Sequence, residues 1–203
     1  MENIFNENIK PTEYDINSDV YLIRKHIHDF IIEDISNYWG NILEIGPMNY
    51  EHTPVKRFYL DTRKILIDFG NEYISIDRDK NSYTDIVEDF VDYACKYEND
   101  EGNIYDAIIC LDVLEHTFNF REFPSAMHRI LKPRGKVFVS TPFYFRIHEP
   151  KPDYWRFTEE GLRAIFNPYF FIETKSLIIF DDYKRPLHIN LIGTKRDDIF
   201  SSL

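Results

Sequence analysis

Cysteine is nearly absent from this 203-residue chain: only Cys95 and Cys110 occur, and they lack C-x-x-C spacing. A disulfide framework and a structural zinc knuckle are both excluded on that count. Glycine is scarce as well, with seven in all, which leaves no flexible linker and no glycine-rich low-complexity tract. No apolar run approaches the length of a membrane span. The first residues, Met1-Glu-Asn-Ile-Phe-Asn-Glu-Asn, lack the basic-then-apolar order of a signal peptide, so a cytoplasmic location is expected. Positive charge is in deficit too, the formal net charge being −11. Phosphate backbones are held by clustered Lys and Arg, and the short basic runs here (132 to 136, 184 to 185, 195 to 196) are diluted by acids. Nucleic acid is therefore not the expected partner. What remains is 43% hydrophobic and 29% charged, enough for one well-formed core, and one domain spanning 1–203 is expected with residues 1–17 loosely ordered.

The hydrophobic pattern alternates between two periods. Val20, Ile23, Ile27, Phe30, Ile31, Ile35 and Tyr38 recur at helical spacing, predicting a helix over 19–38, capped by Ser18 or Asp19 and ended by Gly40. Residues 41–45 read as a buried strand that stops at Gly46-Pro47, and 73–76 as a strand ending in Asp77. Between them, 51–70 is ambiguous: Val55, Phe58 and Tyr59 fit a short helix, while 65–67 fits helix or strand. Residues 105–111 form another strand, ending in Asp112. A helical stripe of Phe123, Met127, Ile130 and Leu131 follows, with Pro124 in its first turn. Residues 132–135 turn the chain into a strand over 136–140. Thr158 caps a helix whose first turn carries Glu159 and Glu160, and Pro168 closes it. Two strands, 170–180 and 187–194, finish the chain as a hairpin on one sheet edge. Strands alternating with helices mean an α/β layer fold with a largely parallel sheet.

In such sheets ligands sit at the carboxyl ends of the strands. Those ends hold Glu44-Ile-Gly46, Asp77 and Leu111-Asp112. A glycine there lets a ligand approach bare backbone, and a strand-end carboxylate can accept both hydroxyls of a ribose. Any adenosine-containing cofactor fits that pair. A dinucleotide needs G-x-G-x-x-G for its pyrophosphate, whereas residues 46–51 are Gly-Pro-Met-Asn-Tyr-Glu. S-adenosylmethionine has no phosphate and carries a sulfonium cation, so an acidic, glycine-poor loop suits it better than NAD.

Ile42-Leu-Glu-Ile-Gly46, Tyr73-Ile-Ser-Ile-Asp77, Asp85-Ile-Val-Glu-Asp-Phe90, Tyr105 to Thr117 with its Asp112-Val-Leu-Glu-His116, and Leu131-Lys-Pro-Arg-Gly135 followed by Val137-Phe-Val-Ser-Thr-Pro142 occur in that order. Together they resemble the motifs of the class I, Rossmann-like S-adenosylmethionine-dependent methyltransferases, in the small bacterial type-11-like subgroup, from about Asn41 to Lys195. The resemblance implies a doubly wound, mostly parallel seven-stranded sheet with a C-terminal antiparallel hairpin and helices on both faces. It implies that Glu44 and Gly46 contact the methionine and ribose end of the cofactor, and that Asp77 binds the ribose hydroxyls. Asp89 would accept from the adenine amino group, the Phe90 N–H would donate to the ring, and the Leu111 carbonyl would hold the methionine amine. This chain departs from the family in keeping one glycine of the usual glycine-rich loop and in a longer interval between Gly46 and Asp77.

Residues 143–158, Phe-Tyr-Phe-Arg-Ile-His-Glu-Pro-Lys-Pro-Asp-Tyr-Trp-Arg-Phe-Thr, pack six aromatics, His148, Asp153, two arginines and two prolines into one loop. Concentrated aromatics stiffened by proline read as the wall of an acceptor pocket. His148 to Thr158 resembles a segment of methyltransferases associated with surface-glycan and secondary-metabolite pathways. A small-molecule acceptor is expected, with O-methylation favoured over N-methylation. His148 is the first candidate for general base and His116 the second, though His116 and Glu115 also read as residues that orient their loop. Tyr144, Arg146, Asp153, Tyr154 and Arg156 are the candidates for holding the acceptor. No metal is expected, because the histidines at 26, 28, 52, 116, 128, 148 and 188 are scattered and no His/Asp/Glu group has ligand spacing. The alternatives are an NAD-dependent oxidoreductase, disfavoured by the missing glycines, and a methyltransferase-like binding protein without catalysis.

Overall fold

A computed structural model describes residues 19–47, 62–97, 102–179 and 185–197. Seven strands form a single sheet: β1 (Asn41–Ile45), β2 (Glu72–Asp77), β3 (Ile86–Val87), β4 (Tyr105–Leu111), β5 (Leu131–Pro142), β6 (Phe170–Ile179) and β7 (Arg185–Lys195). Their spatial order is β3-β2-β1-β4-β5-β7-β6. The pairings among β1 to β5 are parallel, and β7 runs antiparallel to both β5 and β6. The expected terminal hairpin is present, but its second strand lies inside, against β5, and its first strand becomes the edge.

Strand side chains alternate between faces, and in β4 both faces are apolar. Tyr105, Ile108 and Cys110 join a core shared with Phe90, Tyr93 and Ala94 of α3 (Phe90–Cys95). The same core takes in Phe123, Met127 and Ile130 of α4 (Phe123–Ile130) and Leu162 and Phe166 of α5 (Glu159–Phe166). Ala107 and Ile109 point the other way, into a second core with Phe30 of α1 (Asp19–Phe30) and Leu66 of α2 (Thr62–Asp68). Helices therefore cover both faces, as expected, and a two-sided apolar strand is what demands it. Each fully buried Phe, Ile or Leu contributes about 1.5–3 kcal/mol. Among the described residues no helix is long and apolar enough to cross a membrane.

Three local expectations need correction. The helix predicted over 19–38 is α-helical only to Phe30, and Ile31–Ile35 form a π turn. Ser36 N–H bonds the Ile31 carbonyl at 2.8 Å while its hydroxyl takes the Ile32 carbonyl at 2.6 Å, so the widened turn has its own hydrogen bonds. Residues 132–135, expected as a turn, are a bulge within β5, where the pairing jumps from Tyr105↔Leu131 to Ala107↔Lys136 and Arg134 takes φ +61°. In the ambiguous stretch, 62–68 is the helix α2, which settles 65–67; the helix expected around Val55, Phe58 and Tyr59, the loosely ordered 1–17 and the Ser18 cap lie outside the described residues. Elsewhere the caps are as read: the Thr158 hydroxyl accepts from Gly161 N–H at 3.0 Å, and Pro124 sits in the first turn of α4.

Candidate active site

Pairing register alone brings the strand ends together. Ile45 lies opposite Ile76 on one side and Cys110 on the other, so Gly46, Asp77 and Leu111 leave the sheet side by side. Gly46 N–H bonds the Ile76 carbonyl at 2.8 Å. Asp77 pairs with Val87, and its carbonyl accepts from Glu88 N–H at 2.9 Å, which delivers Glu88, Asp89 and the start of α3 to the same edge. These residues line a cleft of about 630 Å³ together with Arg78, Asp79, Asn81, Asp112, Val113, His116, Thr117, Phe123 and residues 149–152.

Gly46 takes φ +66°, and a Cβ there would meet Val113 Cγ2 at 2.7 Å. Only glycine fits that bend, and the space it leaves opens onto the cleft. The Asp77 carboxylate accepts from Asp79 N–H at 3.0 Å and lies 3.4 Å from the Asn81 amide. Burial pushes its acidity to the high side of an ordinary aspartate, partly opposed by the Asp79 N–H. The rival acids near Asp89 have other work. Asp85 accepts from Ser75 and pairs with Arg63 at 3.1 Å, and Glu88 pairs with Lys96 at 2.6 Å. Asp89 caps α3 through one oxygen, accepting from Val91 and Asp92 N–H, and lines the cleft beside Phe90, whose ring packs 5.1 Å from Phe123.

Glu44 departs from expectation. It lies on the sheet face of Tyr73, whose hydroxyl donates to it, and it does not line the cleft. Asp112 instead does, at φ +53°. Its carboxylate accepts from the Ser140 hydroxyl and faces His188 Nε2, both at 2.8 Å, with Arg24 at 3.9 Å. Burial opposes its ionisation, but His188, Arg24 and Ser140 outweigh it and hold the carboxyl well below the usual range.

The loop after β5 is also rearranged relative to expectation. Asp153 has a fully buried side chain, clamped by two nitrogens of Arg156 and by His148 Nδ1 and N–H, each of the latter at 3.0 Å. The hydrogen bond from Arg156 holds the Asp153 carboxyl well below its ordinary range. Arg156 also donates to the carbonyls of Phe145, Arg146 and Trp155. Asp153 and Arg156 thus neutralise each other and brace the loop, which corrects their reading as acceptor-binding groups. Tyr154 is half-exposed and rests on Phe118, and Tyr144 and Arg146 line a separate hollow of about 480 Å³ beside Asp19 and Val20. Backbone N–H groups of Tyr154 and Trp155 bond the Glu115 carbonyl, tying the loop over the 3-10 turn Leu114–His116.

That turn brings His116 into the cleft wall, with its ring 5.0 Å from that of His148. His148 stands behind it and does not line the cleft, so the order of the two histidines is reversed from expectation. Burial lowers the basicity of His148, opposed by Asp153. The expectation that no His/Asp/Glu group gathers is also corrected: Glu115, His116 and His148 each offer a ligand atom, all within 4.8 Å of one another.

Six acids, Asp77, Asp79, Glu88, Asp89, Asp112 and Glu149, border the cleft against Arg78 and Lys151. That lining repels a pyrophosphate and suits a cation. A family model described as a methyltransferase domain matches residues 24–174, well over half of the chain. The chain is a class I S-adenosylmethionine-dependent methyltransferase. A curated relative, the mitochondrial ubiquinone biosynthesis O-methyltransferase of Rattus norvegicus, is 29% identical over 79 residues, which is 37% of this chain and 23% of that protein. The match thus spans less than a quarter of the relative's length. Among solved structures, an S-adenosylmethionine-dependent methyltransferase of Archaeoglobus fulgidus superposes with TM-score 0.63 at 12% identity, covering 85% of this methyltransferase and 94% of its own chain. The 1,6-didemethyltoxoflavin-N1-methyltransferase of Burkholderia thailandensis, solved with 1,6-didemethyltoxoflavin and S-adenosylhomocysteine, superposes with TM-score 0.54 at 12% identity over 93% of this chain and 94% of that one. These likenesses are of fold. The backbone space at Gly46 and the acidic cleft fit S-adenosylmethionine.

Proposed function

We propose that this methyltransferase methylates a hydroxyl group of a small-molecule acceptor entering the cleft on the His116 side. S-adenosylmethionine, when bound, supplies the methyl group as an electrophile. The chain's own residues would do the rest. Asp77 accepts the ribose hydroxyls, Asp89 and the Phe90 N–H recognise adenine, and the Leu111 carbonyl with Gly46 receives the methionine end. Apolar contacts from Ile45, Ile76 and Phe123 exclude water from that half of the cleft. In-line transfer to a held acceptor draws most of its acceleration from positioning.

The observation that carries the choice of a hydroxyl is the imidazole pair at the other end. A hydroxyl must lose its proton as it reacts, whereas a neutral amine need not lose one first. His116 stands in the wall, and His148, whose basicity burial lowers against the pull of Asp153, is oriented by that carboxylate. An O-methyltransferase among the relatives supports the reading, while the N1-methyltransferase of like fold marks what the test must separate.

The test is to incubate the enzyme with S-adenosylmethionine and paired libraries of hydroxyl and amine metabolites, following S-adenosylhomocysteine release and methylated products by mass spectrometry. Products methylated on oxygen are expected. Turnover confined to amines would overturn the choice, and cofactor binding without turnover on any acceptor would favour a binding protein.

A further inference from the structure

Among the described residues, Glu115 stands out. Its residue is fully buried, and neither carboxylate oxygen has a hydrogen-bond partner. Burial, with repulsion from Asp112, pushes its carboxyl well above the ordinary range, so the carboxylate form is held there only if a partner offsets the several kcal/mol that an unpaired buried ion costs. Arg156 is near enough to act on it, but that guanidinium is engaged by Asp153 and three carbonyls. Asp112 and Asp153 add repulsion.

The neighbouring histidines are prepared in a specific way. His116 Nδ1 lies 3.0 Å from the Pro152 carbonyl, an atom that can only accept, so Nδ1 carries the proton and Nε2 presents its lone pair. That Nε2 faces Glu115 Oε1 at 3.7 Å. His148 Nδ1 faces the Asp153 carboxylate at 3.0 Å, which likewise leaves Nε2 as the lone-pair nitrogen. Imidazoles that ligate metals are oriented in this manner, one nitrogen on the ion and the other donating to a carboxylate or carbonyl. Ligand atoms around a tetrahedral ion with bonds of about 2.1 Å lie roughly 3.4 Å apart, so the Glu115–His116 spacing needs little adjustment.

We propose that Glu115, His116 and His148 form a binding site for one divalent first-row transition ion. Two imidazoles and one carboxylate select zinc, iron(II), cobalt(II) or manganese over magnesium and calcium, which prefer all-oxygen shells. Three protein ligands leave open positions, and because His116 lines the cleft those positions face it. There the ion takes oxygen donors and, resting on the function proposed above, assists loss of the acceptor's hydroxyl proton in place of a bare histidine. The carboxylate's missing partner is then the ion itself.

The site is tested on the full chain after dialysis against EDTA, by calorimetry with Zn²⁺ and by visible absorption with Co²⁺. One equivalent per chain is expected, with a rise in Tm on binding. Glu115→Gln, His116→Ala and His148→Ala should each weaken Co²⁺ binding by about 100-fold or more, and Asp153→Asn, acting only through His148, by about 10- to 100-fold. Cys95→Ser should bind as wild type, which separates the site from the exposed thiol. Glu115→Gln is isosteric and neutral, so circular dichroism should report it folded. Absence of binding to the folded wild type, binding indifferent to the three ligand substitutions, or a preference for Mg²⁺ over Co²⁺ would overturn the proposal. S-adenosylmethionine affinity, titrated separately, should survive all three substitutions. Its absence in the metal-loaded wild type would undo the placement of the cofactor while leaving the ion site standing.

Discussion

Replacing Asp77 by alanine isolates the ribose contact. In the folded chain the carboxylate takes one good hydrogen bond, from Asp79 N–H at 3.0 Å, and a long one from Asn81 at 3.4 Å. Two oxygens offer about four acceptor positions, so capacity remains for two hydroxyls. Hydrogen bonds to a charged group contribute about 1.5–3 kcal/mol, so the Kd for S-adenosylmethionine should rise about 10- to 150-fold. Stability should move little, because two effects oppose. Burial raises the folded carboxyl's pKa above its unfolded value, so at neutral pH the charge is better solvated in the unfolded chain and its removal favours the fold. Against that, the variant loses the Asp79 bond, worth about 1 kcal/mol. The same shift predicts that wild-type affinity declines as pH falls toward that raised pKa, since only the ionised carboxylate accepts both hydroxyls. Asp77→Ala should lack this decline. Isothermal calorimetry from neutral to mildly acidic pH, beside thermal melts, reads all three quantities. Wild-type affinity in a folded variant, or a pH profile shared by both proteins, would remove Asp77 from the site.

Gly46→Ala should destabilise the fold by about 1–2 kcal/mol from its left-handed backbone alone, and it should weaken the cofactor as Val113 is displaced; thermal melts and calorimetry together check it. Arg156→Ala strands the buried Asp153 carboxylate and should cost about 3–5 kcal/mol in chemical denaturation, with Arg156→Lys a poor rescue because it lacks the fork. Thr158→Ala should cost about 1 kcal/mol through the lost cap of α5, and leave cofactor affinity unchanged by calorimetry. NAD should give no heat under conditions that saturate S-adenosylmethionine, because the acidic lining opposes its pyrophosphate.

Local pattern determined which residues stand at the strand-end side of the cleft. A strand's apolar run ends where its last residue ends, so Gly46, Asp77 and Leu111 could be placed at strand termini, and parallel pairing then aligns them without further information. Thr158 and Pro124 were legible for the same reason, since capping and first-turn chemistry act within a few residues. Periodicity did not reveal the π turn after Phe30 or the bulge at 132–135, because both preserve the apolar spacing around them. Nor could it place β7 between β5 and β6, a choice made by pairing across the sheet. The chemistry of the acceptor half was decided by tertiary structure alone. Asp153 and Arg156 were read as acceptor-holding groups because nothing in their order along the chain shows that they bury and neutralise each other. Glu115 and His116 sit on a turn after β4, and His148 on a loop after β5, so only the packing of that loop over the turn brings their ligand atoms within 4.8 Å. A contact between side chains so distant in sequence leaves no periodic trace; it exists only once the backbone of Tyr154 and Trp155 has closed on the Glu115 carbonyl.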